Sequence, residues 1–87
     1  MFLVEKIKIE KNLTTAKIAE TLGTTYQFVA SLSKGTRKMN INHIEKIFEA
    51  IDFSEEEKEK ILLEFYLEDA PFDFKEKIFR KFEQEVN

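Results

Sequence analysis

The sequence predicts an all-α protein of five to six helices. Two Gly and one Pro occur among 87 residues, whereas Lys, Glu and Ile are abundant, a composition typical of a helical protein. Apolar residues recur at intervals of three and four, as on the buried stripe of a helix. Most of these stretches follow a Thr, Asn or Ser, the residue types that cap the first turn of a helix.

The first element, residues 2–11, cannot be assigned from periodicity alone. Its inward candidates are Phe2, Val4 and Ile7, followed by Ile9. The stretch IKIE within it alternates apolar and charged residues, as a half-buried strand would. The pattern therefore leaves both a strand and a helix open.

Residues 13–38 predict two short helices joined by a tight turn. Thr14 can accept a hydrogen bond from a first-turn N–H, so the first of the two helices begins near Thr15. Gly23 ends it, since a left-handed C-terminal residue is inexpensive only for Gly or Asn. The small Ala19 allows the backbones of two crossing helices to approach closely. The apolar stripe of this helix comprises Ala16, Ile18, Ala19 and Leu22.

The second helix of the pair is capped by Thr24 or Thr25 and runs to about Ser33. Gly35 ends it, and the loop of residues 34–38 carries three basic side chains. Its apolar face comprises Val29 and Leu32.

Two more helices follow from cap signals. Asn40 or Asn42 caps the fourth helix, and Ser54 with Glu57 three residues later forms a capping box at the start of the fifth. The stripe of the fourth consists of Ile44, Ile47, Phe48 and Ile51. That of the fifth consists of Ile61, Leu62 and Phe65, with Tyr66 as the next candidate.

Pro71 ends the fifth helix, because the residue before a proline is pushed out of the α region. Residues 72–85 then form a sixth helix, which either completes the core or presents an aromatic surface to a partner. We therefore divide the chain into a domain of residues 1–67 and a C-terminal extension of residues 68–87. The apolar positions of the sixth helix are Phe72, Phe74, Ile78, Phe79, Phe82 and Val86.

The pattern I-A-x-x-L-G-T-T-x-Q-x-V-x-x-L-x-x-G-x-R, which begins at Ile18, is that of a helix-turn-helix. It resembles the lambdoid phage repressor and Cro family of DNA-binding domains over residues 13–51 and, more loosely, over residues 2–65. The resemblance implies a lambda-repressor-like domain in which residues 2–11 are a helix. It also implies that the second helix of the pair enters the DNA major groove.

The resemblance further implies which side chains contact DNA. Gln27 is the strongest candidate for base reading, because a primary amide can bond to both N6 and N7 of adenine. The other base-contacting candidates are Thr25, Tyr26 and Ser31. The phosphate-contacting candidates are Thr15, Lys34, Thr36, Arg37 and Lys38. For each of them an ordinary exposed polar residue is the competing interpretation.

Two positions depart from the family pattern. Phe28 stands where relatives usually have a small polar residue, so its ring either tucks into the domain or lies on the binding surface. Relatives often pair a basic residue of the first helix with an acidic one at the position of Ser33. Here Lys8 would face Ser33, and that ion pair is absent.

The net charge of −3 argues against DNA binding, but the charge is unevenly distributed. Residues 1–48 carry eight basic and four acidic residues, and residues 49–87 carry six basic and thirteen acidic ones. The basic half contains the helix-turn-helix. The acidic half weakens nonspecific DNA binding without forbidding it, and it is either a solvated surface or a surface for a protein partner.

The leading interpretation is a sequence-specific transcriptional regulator, a phage or mobile-element repressor that binds double-stranded DNA with an inverted repeat as a homodimer. Relatives commonly dimerise through elements after the fourth helix. The alternative is a helix-turn-helix module that binds protein, such as an antitoxin, an anti-repressor or an inhibitor of a host defence protein. The expected dimer-interface residues are Phe65, Phe74, Ile78 and Phe82.

The sequence gives no indication of an enzyme, a cofactor or a metal site. It contains no cysteine and one histidine, His43, which we expect at the surface or at an interface. The N-terminal MFLVEKIKIEKN becomes charged after three apolar residues, so we expect neither a signal peptide nor a membrane span. A cytoplasmic protein is expected.

Overall fold

The computed structural model describes residues 1–68 and 70–86, and for Val86 the backbone alone. Within those ranges the chain forms six α-helices and no strand, which confirms the all-α prediction. The helices are α1 (Leu3–Lys11), α2 (Thr15–Leu22), α3 (Tyr26–Lys34), α4 (Ile41–Ala50), α5 (Glu55–Tyr66) and α6 (Phe72–Val86).

The chain forms two compact units. The first, Met1–Phe53, contains α1 to α4, and the second, Ser54–Asn87, contains α5 and α6. The functional division expected after residue 67 stays a prediction.

Side-chain caps fix where the helices begin, as the sequence predicts. Thr14 accepts a hydrogen bond from the N–H of Lys17 at the start of α2. Ser54 and Glu57 exchange side chain–backbone bonds at the start of α5, which confirms the capping box. Of the two candidates for each remaining cap, Thr25 caps α3 and Asn40 caps α4.

The core of the first unit is built from all four helices. α2 packs against α3 and α4, and α1 packs against α3. Ala19 is buried on α2, in keeping with the need for a small residue where helices meet. The largest fully buried side chains are Val4, Ile7, Ile18, Val29, Ile44 and Ile47. The sequence reading missed three buried residues, Leu3, Met39 and Phe53.

Two expected core residues are exposed instead. Ile9 is 65 % exposed, and Ala16 is exposed as well. Each lies two positions from a fully buried isoleucine, Ile7 and Ile18 respectively. Two helical steps turn a side chain by about 200°, toward solvent. Phe2, a third inward candidate, remains 43 % exposed.

The second unit has a small apolar centre in its described residues. Ile61 is buried, and Leu62 and Phe65 are half-buried, as expected. Tyr66 is exposed, so its prediction as a buried residue is wrong. Its ring and the Phe65 ring pack edge to face, with centroids 5.2 Å apart. The Lys75 ammonium donates to the Glu68 carbonyl at 2.6 Å, linking α6 to the end of α5.

The two glycines of the chain allow a matched test of packing. Both end a helix at positive φ, 66° at Gly23 and 80° at Gly35. We predict that Gly23→Ala costs about 1–2 kcal/mol, the cost of a left-handed backbone with a Cβ. Gly35→Ala should cost more, because the added Cβ would overlap the Phe2 ring, whereas nothing lies within 4 Å at Gly23. Urea unfolding measures both free energies.

The control for that experiment is a Phe2→Ala background. There the two alanine substitutions should cost the same, since the obstructing ring is gone. Equal costs in the wild-type background would contradict the packing of Phe2 on Gly35.

Candidate nucleic-acid interface

The first turn of α3 presents two unpaired side chains to solvent. Tyr26 is 59 % exposed, and Gln27 beside it is also exposed. Neither side chain has a hydrogen-bond partner within the described part of the chain. A phenol and a primary amide in this state retain all their hydrogen-bonding groups for a ligand.

The other two candidate base contacts are partly engaged inside the fold. The Thr25 hydroxyl oxygen accepts the Phe28 N–H at 3.1 Å, so its own O–H remains free to donate. The Ser31 hydroxyl donates to the Gln27 carbonyl at 2.9 Å, so it retains acceptor positions alone. Tyr26 and Gln27 are therefore better placed than Thr25 and Ser31 to choose between bases.

The last residue of α3 and the loop after it hold the expected cationic cluster. Lys34, Arg37 and Lys38 are exposed, and the Thr36 hydroxyl donates to the Ser31 carbonyl at 3.3 Å, holding the loop against α3. No Asp or Glu occurs in the 24 residues from 21 to 44, although the chain has seventeen acidic residues. This acid-free segment is a signal of a polyanion-binding surface that the overall charge conceals.

The ring of Phe28 lies between two neighbours rather than open on the surface. Its edge-to-face partner is the His43 ring, with centroids 5.4 Å apart. The Arg37 guanidinium lies 5.7 Å from the Phe28 centroid, within the range of a cation–π contact. Phe28 is half-buried. Of the two placements left open by the sequence, the structure favours the one in which the ring tucks into the domain.

His43 has a role that the sequence reading missed. Its Nδ1 accepts the Asn40 N–H at 3.1 Å, while the Asn40 side-chain oxygen accepts the His43 N–H at 3.1 Å. This reciprocal pair is a capping box in which a neutral imidazole stands where Glu or Gln is usual. Burial, and secondly the nearby Lys46 charge, lower the pKa of His43 from its ordinary value. The N-x-x-H spacing at the start of a helix is the sequence signal that could have indicated this capping box.

At the start of α2, Thr15 is held by α1. The Lys8 ammonium donates to the Thr15 hydroxyl oxygen at 2.7 Å and to the Glu5 carboxylate at 3.0 Å. The nearby Ser33 hydroxyl, and then the bond from Lys8, lower the pKa of Glu5. The Ser33 oxygen is nevertheless buried without a hydrogen bond of standard geometry among the described residues, so we treat its contact with Glu5 as weak.

The predicted DNA contacts thus occupy the starts of α2 and α3 and the loop after α3, all in the first unit. The predicted dimer residues occupy α5 and α6 in the second unit, where Phe74 is 49 % exposed and Phe65, Ile78 and Phe82 are half-buried. Among the described residues, no group of three or more His, Asp or Glu side chains could hold a metal ion. No helix in the described ranges is long and apolar enough to cross a membrane.

Comparisons with protein-family models, with curated proteins and with solved structures find no match. The resemblance to the repressor and Cro family therefore rests on the motif in this sequence.

The capping box of His43 predicts a pH-dependent stability. Protonation turns Nδ1 from an acceptor into a donor, which breaks its bond with the Asn40 N–H. Because the pKa of His43 is lower in the folded than in the unfolded state, the stabilisation from this hydrogen bond is fully present above the unfolded pKa of about 6.5. It is lost as the pH falls through the folded pKa. We expect a loss of up to about 1 kcal/mol, the usual value of a cap, in urea unfolding between about pH 7.5 and about pH 5.

The matched variant is His43→Gln, whose side-chain oxygen can accept the same N–H without titrating. Its stability should change much less over that pH range, since the chain has no second histidine and its carboxyl groups titrate mainly below about pH 5. The same pH slope in this variant would refute the role of His43.

Proposed function

We propose that this protein is a sequence-specific regulator of transcription that binds double-stranded DNA, a repressor of phage or mobile-element type. The observation that carries the proposal is the first turn of α3, where Tyr26 and Gln27 are exposed without internal partners. They lie in the acid-free segment of residues 21–44, next to the basic loop. This combination of free polar side chains and a basic loop within an acid-free segment suits the major groove better than a neutral protein surface.

Base reading falls chiefly to Gln27. Its amide can donate to N7 and accept from N6 of the same adenine when an adenine faces the start of α3. Tyr26 can hydrogen-bond through its hydroxyl or pack against the sugar-phosphate backbone. Thr25 retains a donor for a phosphate, and Ser31 retains acceptors for a base amino group.

Phosphate contacts would hold the protein in register from two sides. Thr15 opens α2, where the first N–H groups of a helix attract an anion. The basic loop supplies Lys34, Thr36, Arg37 and Lys38. Phe28 holds the Arg37 guanidinium near its ring, which restricts the motion that a long side chain would lose on binding.

A homodimer is the form we propose to act on DNA. Residues 72–87 carry four basic and four acidic residues, so α6 would not repel a second copy, and its apolar row includes the exposed Phe74. Two copies related by a two-fold axis would place their α3 helices about 34 Å apart on an inverted repeat. Repression would then be steric, by occlusion of a promoter.

A protein-binding module is the second candidate. The observation that favours it is the segment of residues 49–71, which carries nine acidic and two basic residues. Such a surface could attract a basic protein partner, and an antitoxin, an anti-repressor or an inhibitor of a host defence protein would fit.

The DNA proposal predicts distinct effects of two substitutions. Gln27→Ala should cost about 1–3 kcal/mol on a duplex selected from a randomised library, with an unchanged salt slope, because one bidentate base contact is lost. Arg37→Ala should weaken binding to every duplex and flatten the salt slope by about 0.9, because one phosphate contact is lost. Fluorescence anisotropy at several salt concentrations measures both, and the DNA upstream of the gene should be tested with the selected duplexes.

The chain offers matched controls for that experiment, since it contains one other Gln and one other Arg. Gln84 and Arg80 are exposed on α6, and their alanine variants should bind DNA like the wild type. Equal losses in the controls would contradict the assignment. If the folded protein selects no sequence from the library, the protein-binding candidate replaces the DNA proposal.

The dimer proposal predicts that a charge in the apolar row of α6 separates the copies. Ile78→Glu or Phe82→Glu should raise the dimer dissociation constant at least tenfold, about 1.4 kcal/mol or more, because burying an unpaired carboxylate is costly. Sedimentation velocity measures the dissociation. The variants should also lose the preference for an inverted repeat over a single half-site.

Gln84→Glu is the control, because it adds the same charge at an exposed position two residues from Phe82, on a different face of the helix. Its dissociation constant should match that of the wild type. A wild-type protein that is monomeric both free and on DNA would rule out the dimer.

A further inference from the structure

Lys8 makes a short polar contact between two helices of the first unit. Its ammonium, on α1, lies 2.7 Å from the Thr15 hydroxyl oxygen, on α2. A second bond, 3.0 Å to Glu5, anchors the ammonium from its own helix. The Lys8 side chain is 18 % exposed, so most of it is shielded from water. A shielded ammonium with two oxygen partners has a defined direction, unlike a lysine on the open surface.

This contact decides how the Thr15 hydroxyl can be used. An ammonium can only donate, so it occupies an acceptor position of the hydroxyl oxygen. The single O–H of Thr15 is then left to donate to another group. A hydroxyl that accepts from a cation is also polarised into a stronger donor. Thr15 therefore offers a directed donor at the first position of α2, where backbone N–H groups also lack helical partners.

We propose that Lys8 is a positioning residue for a phosphate contact made by the Thr15 hydroxyl. The inference rests on the proposed DNA binding and goes beyond it, since it assigns a partly buried residue of α1 to the interface. Lys8 fixes the direction of the Thr15 O–H and adds positive charge behind it. Glu5 balances that charge within the fold and keeps the ammonium from turning toward the phosphate itself.

The neutral side chain of Ser33 explains why Lys8 is available for this role. An acidic residue there would draw the ammonium toward α3. The Ser33 hydroxyl is neutral and completes no standard hydrogen bond among the described residues, so it does not compete with Thr15 for Lys8. The ammonium that an acidic residue on α3 would attract is thus directed to the start of α2 instead.

The test is a double-mutant cycle on DNA affinity. Lys8→Met, Thr15→Val and the double variant are titrated into a labelled random-sequence duplex pool and into a selected duplex. Thr15→Val should weaken binding about tenfold or more, the value of one hydrogen bond to a charged group. Lys8→Met should weaken it by a similar factor. The double variant should bind no more weakly than the weaker single variant, because the two act through one contact.

Two further variants separate positioning from a structural role. Thr15→Ser keeps the hydroxyl and should restore wild-type affinity. Because Ser also keeps the bond from Lys8, urea unfolding of each variant is the second readout. A loss of DNA affinity in Thr15→Val without a matching loss of stability supports the phosphate contact, whereas losses that run in parallel indicate a structural link. Lys58→Met removes a lysine from a similar ion pair with Glu55 in the second unit, and it should leave DNA affinity unchanged. If Lys8→Met fails to fold, Thr15→Val and Thr15→Ser still test the inference through the same two measurements, DNA affinity and stability.

Multiplicative losses in the cycle, or wild-type affinity in Lys8→Met, would overturn the inference while leaving the proposed DNA binding intact. A wild-type protein that binds neither the pool nor any selected duplex would overturn both.

Discussion

The packing of α3 onto α1 and α2 is the constraint on which the rest of the first unit depends. Val29 and Leu32 are buried, and their burial fixes the rotation of α3 about its own axis. Gln27 must then face away from the core, since it lies two helical steps, about 200°, from Val29. Tyr26 lies three steps from Val29, at the edge of the buried face, and is 59 % exposed in the first turn of α3. The exposed position of Gln27 is thus a geometric consequence of the core, and any substitution that rotates α3 would change the proposed base contacts together.

A second layer of residues lies between the core and the proposed interface. Phe28, His43 and Lys8 are half-buried, and each contacts a residue expected to face DNA or caps a helix close to it. Their contacts restrict side chains before binding, so less conformational freedom is lost when DNA is bound. Burial lowers the pKa of His43, so this layer also contains a group whose protonation is linked to the stability of a capping box.

The sequence predicts the helices well because their ends depend on local chemistry. Thr14, Ser54 and the two glycines act within a few residues of the chain, so a cap or a left-handed turn can be read without knowing the fold. Whether a residue at the edge of an apolar stripe or in a loop is buried depends on tertiary packing instead. Ile9 and Ala16 belong to apolar patterns yet are exposed, while Met39 and Phe53 lie outside the helices and are buried. The direction of Lys8 was equally hidden, since it depends on the distance between α1 and α2.

The separation of charge along the chain makes DNA binding compatible with a net charge of −3. Screening limits the range of a surface charge to about 8 Å at physiological salt, so the local composition determines the field that a phosphate experiences. The acid-free segment of residues 21–44 supplies that local field, while most of the acidic excess falls in residues 49–71. At low salt the acidic residues would act over a longer range and oppose nonspecific binding. A protein with this charge distribution would bind random DNA weakly, and its residence on a particular sequence would then depend on base contacts such as the one proposed for Gln27.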